Sequence, residues 1–430
     1  MRIAIKTLGC KANRYESDRL FVTLKPQHQV YNVMGALDDV DILIVNTCTV
    51  TQSADKKSRQ AITSFKKLVP HSKLIVFGCG SNVSPLEYRQ IEGVDFVAKN
   101  TEDVLKIIEE ISDEKEIVPC NPVNEKDFSS GERTRALLKI QDGCNRYCTY
   151  CIIPRARGKE VSFPLKQLCS EAIQREKEGY KEIVITGITV GQWKEVEKNI
   201  GDLIEALIKS TKNIRFRISS IEPKNFSQKF YKLFSNSRLC NHIHMSLQSG
   251  SDTVLKRMRR GYTTKEYVHI CRKLRKISPD IGLTTDVIVG FPGETEKEFK
   301  ETCKFVKDIG FLKVHIFPYS KRKNTAAYYM AGQISEEIKK SRAKHLQKIT
   351  DACALQFKKS QLNKIHGVLV HRHKKDGFYV GFTSNYIPMK IDPKTIKPAS
   401  KNPLFNQFVR VYLKRIDKDG VTVAELSQNN

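Results

Sequence analysis

Cys144, Cys148 and Cys151 stand in one short loop, Gly143-Cys144-Asn145-Arg146-Tyr147-Cys148-Thr149-Tyr150-Cys151, a spacing suited to binding metal. Three thiolates can hold three irons of a 4Fe-4S cube, because each ordinary cluster iron takes one protein ligand. The fourth iron is then open, and an open iron can take the amino and carboxylate groups of S-adenosylmethionine (SAM). Reductive cleavage of that sulfonium gives a 5′-deoxyadenosyl radical able to break an inert C–H bond, chemistry that the cofactor carries and the protein orients. Structural zinc is the competing use of such thiols. It wants four closed ligands, commonly as paired CxxC units, and neither a fourth Cys nor a His sits nearby.

A second set is scattered: Cys10 in Gly9-Cys10-Lys11-Ala12-Asn13, Cys48 in Asn46-Thr47-Cys48-Thr49, and Cys79 in Phe77-Gly78-Cys79-Gly80. Each follows a predicted strand. In an open parallel sheet, ligands bind at the carboxyl ends of strands, so cysteines distant in sequence would meet at one edge and could hold a second three-thiolate cluster. A lone buried Cys is usually a small hydrophobe, and on position alone the two readings stand level. The other six cysteines, Cys120, Cys169, Cys240, Cys271, Cys303 and Cys353, fall mostly in predicted helices or a linker and are assigned no function.

The elements that must position these thiols follow from periodicity. Over the first hundred or so residues, short β-branched runs alternate with helical patterns, which predicts a small parallel α/β domain over 1–118. A polar, Pro- and Asn-containing stretch, 119–132, reads as a linker. The alternation resumes over 133–364 with six strand candidates beginning near residues 137, 182, 214, 242, 282 and 312, predicting a partial (βα)6 barrel that closes on a long basic helix. Chemistry in such barrels gathers at the carboxyl ends of the strands. From 365 to 430, five short strand patterns with Gly and Lys/Asp turns predict a small β-barrel. The fold class is therefore α/β with a C-terminal β-barrel.

Small and polar residues end the barrel strands: Thr186-Gly187, Ser219-Ser220-Ile221-Glu222-Pro223, Leu247-Gln248-Ser249-Gly250 and Asp286 through Glu294. They let backbone approach a nucleoside and supply donors, although Gly and Ser after a strand are also ordinary turn residues. Thr186, Gly187, Ser219, Glu222, Gln248 and Asp286 are the candidate SAM contacts. His242 and His244 share one strand face, where barrel filling outweighs a ligand role. The excess of 74 Lys+Arg over 47 Asp+Glu, a formal net charge of +27, points to a polyanionic partner such as nucleic acid. No run approaches the ~18 apolar residues that span a bilayer, and the N-terminus alternates like a strand rather than a signal peptide. A cytoplasmic protein with reduced thiols and no membrane partner is expected.

In these residues the chain resembles the radical-SAM superfamily and, more closely, its methylthiotransferases; Cys151-Ile152-Ile153-Pro154-Arg155-Ala156-Arg157-Gly158 is similar to the segment that follows their cluster loop. The resemblance implies that Cys10, Cys48 and Cys79 carry an auxiliary 4Fe-4S cluster beside the SAM-binding one on Cys144, Cys148 and Cys151. Gly381-Phe382-Thr383-Ser384-Asn385-Tyr386 resembles the TRAM domain, an RNA-binding barrel. It implies phosphate contacts from Arg372, Lys374, Lys375 and Lys390, with Phe378, Tyr379 and Tyr386 equally suited to stacking or packing. Arg155 and Arg157 are added as RNA contacts, balanced against a merely solvated basic loop.

Gly9 through Ser17 and Ser219 through Pro223 look most like the branch acting on N6-threonylcarbamoyladenosine beside the anticodon of tRNA, with methylthiolation at C2, one SAM as methyl source and a second as radical source. That implies a low-potential electron donor and a sulfur source as further partners. Two segments depart from the pattern, Asn324 standing where the family has Gly and Gly80-Ser81-Asn82 following Cys79. The rival readings are methylthiolation of isopentenyladenosine in tRNA or of a ribosomal-protein aspartate. In another class stands a noncatalytic RNA-binding metalloprotein.

Overall fold

Strand Ile42–Thr47, sequence ILIVNT, is buried along its whole length, as a parallel strand covered on both faces must be. The computed structural model describes residues 1–33, 40–113, 134–224, 226–373, 377–392, 404–418, 420 and 422–426, the side chains of 372 and 373 excepted. Ile42–Thr47 is central to a five-stranded parallel sheet in the order Gln29–Asn32, Arg2–Thr7, Ile42–Thr47, Lys73–Gly78, Phe96–Val97. Alternate side chains feed two cores. Ile3, Ile5, Ile42, Ile44, Ile75 and Phe77 pack with residues of helices Lys11–Leu24 and Thr101–Asp113. Ala4, Leu43, Val45, Leu74 and Val76 pack with Ile62 of helix Gln52–Leu68 and with Tyr88. The two edge strands were not anticipated; the three inner ones were, within a residue or two.

The chain divides into two compact units. The first contains Met1–Gly131, Asp142–Glu160 and Ser320–Tyr328; the second contains Glu132–Gln141, Val161–Tyr319 and Tyr329–Asn430. The CxxxCxxC loop thus belongs with the N-terminal sheet rather than with the strand that leads into it.

In the second unit the six expected strands, together with the two-residue strands Val161–Ser162 and Ser220–Ile221, form two four-stranded sheets. One runs Arg215–Ile218, Glu182–Gly187, Arg135–Asp142, Val161–Ser162; the other runs Ser220–Ile221, His242–Met245, Gly282–Val289, Lys313–Pro318. A single core, including Leu138, Ile185, Phe216, Met245 and Val287, runs through both. Capping boxes start helices Ile200–Ser210, Thr264–Ile277 and Glu296–Ile309, each satisfying donors that the first turn leaves free. The long helix is Glu336–Lys359, capped by Ser335, and ends five residues before the expected boundary.

The C-terminal strands close into a five-stranded barrel, Ile365–His373, Tyr379–Thr383, Pro388–Ile391, Thr422–Leu426, Phe408–Ile416. It packs against the amino ends of the parallel strands. Arg215, which opens its strand, donates to Phe382 O, and Arg217 donates to Ser384 O and Thr383 O. A Cβ on Gly282, the first residue of another strand, would meet Asn385 O at 2.1 Å. This end is opposite the one at which the candidate SAM contacts lie.

Candidate functional site

Register brings Thr7 beside Asn46 and Thr47 beside Gly78, so the parallel sheet delivers Cys10, Cys48 and Cys79 to one edge. Cys10 lies at the N-cap of its helix, and Cys79 begins helix Cys79–Val83. Two of the three meet at Asn13: its Oδ1 lies 3.5 Å from Cys10 Sγ and 3.8 Å from Cys79 Sγ. Gly9, at φ +104°, brings backbone against Cys48, where a Cβ would sit 2.8 Å from Cys48 Cβ and 3.0 Å from its Sγ. Ser58 fixes the Cys48 backbone, accepting from its N–H and donating to its carbonyl.

Burial pushes the Cys79 thiol up to about 12, with Cys10, Glu16 and Cys48 adding to the rise and the Arg157 cation opposing it; Cys48 is raised chiefly by burial too. Such thiols stay protonated at neutral pH until a metal displaces the proton.

The other three cysteines share this unit. Gly143, at φ +67°, lets the loop close over the segment after it, since a Cβ there would meet Lys159 O at 2.0 Å. Cys144 N–H donates to Gly158 O and Cys151 N–H to Cys148 O, while Arg146 N–H donates to Cys144 Sγ at 3.3 Å. Among the described residues no three His, Cys, Asp or Glu side chains form a ready group for a metal ion. The donor chemistry of each cysteine set nonetheless fits an iron–sulfur cluster: three sulfurs with no carboxylate or imidazole competing among the candidates.

Residues 320–328 tie the two sets together. Ser320 Oγ accepts from Gln52 N–H at 3.0 Å, Arg322 donates to Thr49 Oγ1, and Ala327 N–H donates to Thr149 O at 2.7 Å. The turn needs a left-handed residue, and Asn324 supplies it at φ +68°, a conformation Asn tolerates better than most side chains. The departure from Gly is thus accommodated. Gly80-Ser81-Asn82 is accommodated as well: Ser81 Oγ bonds Gly78 O, and Asn82 Nδ2 bonds Lys99 O and Ala156 O.

The candidate SAM contacts do not all come together. Glu222 lines a recess with Ile188, Thr189, Gly191, Ser220, Ile221 and Ser246, and its Oε1 pairs with Arg260 Nη2 at 2.8 Å. Thr189 and Ser246 carried no sequence signal beyond their place after a strand, and Arg260, which follows helix Asp252–Arg257, carried none. Thr186 and Ser219 are buried. Gly187 packs so closely on its neighbour strand that a Cβ would lie 2.9 Å from Gln141 O. Gln248 holds φ +69° and donates its N–H to Asp286 O, strain of the kind that clusters at ligand sites. Asp286 Oδ2 lies 3.0 Å from His244 Nε2, and Thr284 Oγ1 meets both His242 and His244, so these histidines fill and brace the barrel as expected.

Of the expected RNA contacts, Arg155 is exposed. Arg157 is not available: its side chain is 6% exposed and its donors are engaged by Cys79, Glu16, Asp142 and Asn13, which corrects the expectation that it meets phosphate. Lys390 Nζ lies 5.3 Å from the centre of the Phe378 ring. Lys374, Lys375 and the side chain of Arg372 lie outside the described residues, as does Cys120. Tyr386 stacks on Phe382 and tilts against His242, with Arg217 over its ring. Tyr379 is buried; for these two aromatics packing prevails.

The pattern described as the Radical SAM superfamily matches residues 138–306, and the one described as Uncharacterized protein family UPF0004 matches residues 2–99. The chain is 38% identical over 403 residues to the Threonylcarbamoyladenosine tRNA methylthiotransferase MtaB of Bacillus subtilis, covering 90% of this chain and 89% of that one. The protein of the same name from Thermotoga maritima is 35% identical, covering 97% and 96%. The tRNA-2-methylthio-N(6)-dimethylallyladenosine synthase of Thermodesulfovibrio yellowstonii is 34% identical, covering 90% and 92%. Among solved structures, the radical S-adenosylmethionine methyltransferase TsrM of Kitasatospora setae superposes with a TM-score of 0.58 at 13% identity over 76% of each chain, a likeness of fold.

Proposed function

Because the chain belongs to the radical-SAM methylthiotransferases, we propose that it installs a methylthio group at C2 of N6-threonylcarbamoyladenosine beside the anticodon of tRNA. The observation that carries this reading is its 38% identity to the Bacillus subtilis MtaB over nearly the full length of both chains. Family membership implies one 4Fe-4S cluster and SAM; when bound, they supply a radical able to take hydrogen from an unactivated C–H bond.

The chain's own residues then hold and orient. Cys144, Cys148 and Cys151 bind three irons and leave one open for SAM. Cys10, Cys48 and Cys79 bind a second cluster, a reading supported by the approach of Cys10 and Cys79 to Asn13 and by the packing of Cys48 against Gly9. The recess between Ser220, Glu222 and Ser246 offers hydroxyls and a carboxylate to a ribose. Among the described residues no helix is long and apolar enough to cross a membrane.

Nucleoside mass spectrometry of tRNA from cells with and without the gene tests the assignment. Loss of only the methylthio form of threonylcarbamoyladenosine, with its precursor accumulating, is expected. Loss of the methylthio form of isopentenyladenosine instead would assign the reaction of the Thermodesulfovibrio relative. An unchanged tRNA profile would refute both and turn attention to ribosomal-protein mass.

Arg155, exposed next to the cluster loop, is assigned a phosphate. Arg155→Ala is expected to lower the slope of log affinity against log salt by about 1, measured by tRNA filter binding across salt concentrations. An unchanged slope removes Arg155 from the interface.

A further inference from the structure

Arg157 is buried in the first unit among four partner residues from three segments. Its Nε–H donates to Cys79 Sγ at 3.2 Å. Nη1 donates to Glu16 Oε1 at 2.7 Å and to Asp142 Oδ1 at 3.1 Å, and Nη2 to Asn13 Oδ1 at 2.6 Å. Asn13 cannot turn away, because its Nδ2 already donates to Leu8 O, Asn46 Oδ1 and Thr47 O. Its Oδ1 is thereby fixed as the acceptor facing both Arg157 and the Cys10 and Cys79 sulfurs.

A guanidinium stays charged and presents its donors in a rigid fork. Here the fork is aimed by two carboxylates at a sulfur ligand. Asp142 immediately precedes the CxxxCxxC loop and Arg157 follows it, so one cation is shared by the edges of both cysteine sets. Reduction potentials of iron–sulfur clusters depend on net charge and on hydrogen bonds to the sulfurs. A donor on a ligand sulfur withdraws electron density and favours the reduced state, whereas a nearby carboxylate does the opposite.

We propose that Arg157 is a positioning residue whose hydrogen bond to Cys79 Sγ sets the reduction potential of the auxiliary cluster, with Glu16 holding the fork and offsetting its charge. This rests on the reading that Cys10, Cys48 and Cys79 hold a cluster. The two substitutions therefore act with opposite sign: Arg157→Gln removes the cation and the sulfur bond and lowers the midpoint, while Glu16→Gln leaves the cation less compensated and raises it. General loosening of the site would move both the same way.

The test uses the full chain with Cys144, Cys148 and Cys151 changed to Ala, loaded anaerobically, with iron counted and the midpoint read by redox titration under electron paramagnetic resonance. Expected are a lowered midpoint for Arg157→Gln, a smaller lowering for Arg157→Lys, which keeps the charge but not the fork, and a raised midpoint for Glu16→Gln. Should Arg157→Gln fail to fold, Arg157→Lys and Glu16→Gln carry the same opposed signs. A parent that binds no iron would overturn the second cluster and this inference with it. A parent that binds iron, with midpoints unmoved or moving together, would overturn the inference alone.

Discussion

Cys148→Ala will reduce SAM cleavage by dithionite-treated protein to the uncatalysed background and cut iron from about eight per chain to about four. The expectation follows from the loop: the Cys151–Cys148 backbone bond closes a turn on two of the thiols, Gly143 and the Cys144–Gly158 bond hold the third on the same loop, and two thiolates cannot hold a cube with a single open iron. On the proposed second cluster, the remaining iron is expected on Cys10, Cys48 and Cys79. Cys79→Ala is the complement, expected to keep SAM cleavage while losing methylthiolation. The two variants are compared by 5′-deoxyadenosine release and by iron analysis. Cleavage surviving in Cys148→Ala would refute the ligand assignment, and both variants losing all iron would mean that the two sets load interdependently.

The cysteines were legible because two local signals agree. Each N-terminal one follows a β-branched run, and parallel strands put their carboxyl ends on one edge regardless of sequence distance, which is where Thr7, Thr47 and Gly78 stand. The edge strands Gln29–Asn32 and Phe96–Val97 escaped notice because four and two residues are too few to show a period. Arg157 was misread for another reason. Its loop is polar and basic, and the partner that buries it, Glu16, lies 141 residues away, a pairing that no window along the sequence contains. The same holds for the SAM candidates. Their order after successive strands was readable, but Gly187 is spent on Gln141 and Glu222 is paired with Arg260, outcomes decided by neighbours across the sheet.

Glu182→Ala will loosen the C-terminal barrel from the parallel strands, at a cost of about 3–5 kcal/mol. Glu182 is fully buried, its carboxylate 2.6 Å from Arg215 Nε and 2.8 Å from Arg217 Nε, and the same two guanidinium groups hold the carbonyls of Phe382, Thr383 and Ser384. Removing the carboxylate leaves two buried cations facing one another at that interface. Burial by itself would raise the Glu182 carboxyl, but Arg217 and Arg215 override it and hold it well below the usual carboxylate range. A depressed acid contributes stability that is complete above its unfolded value, near 4.5, and is lost progressively as pH falls from there to the lower folded value. Docking in the parent chain should therefore persist down to about pH 4.5. Hydrogen exchange reads the result directly: Glu182→Ala should lose protection in Arg215–Ile218 and Tyr379–Thr383 together, while Ile42–Thr47 in the other unit keeps its own. Equal protection in variant and parent would mean that packing such as that of the Tyr386 ring against His242 holds the barrel in place and that the Glu182 carboxylate contributes nothing to its docking.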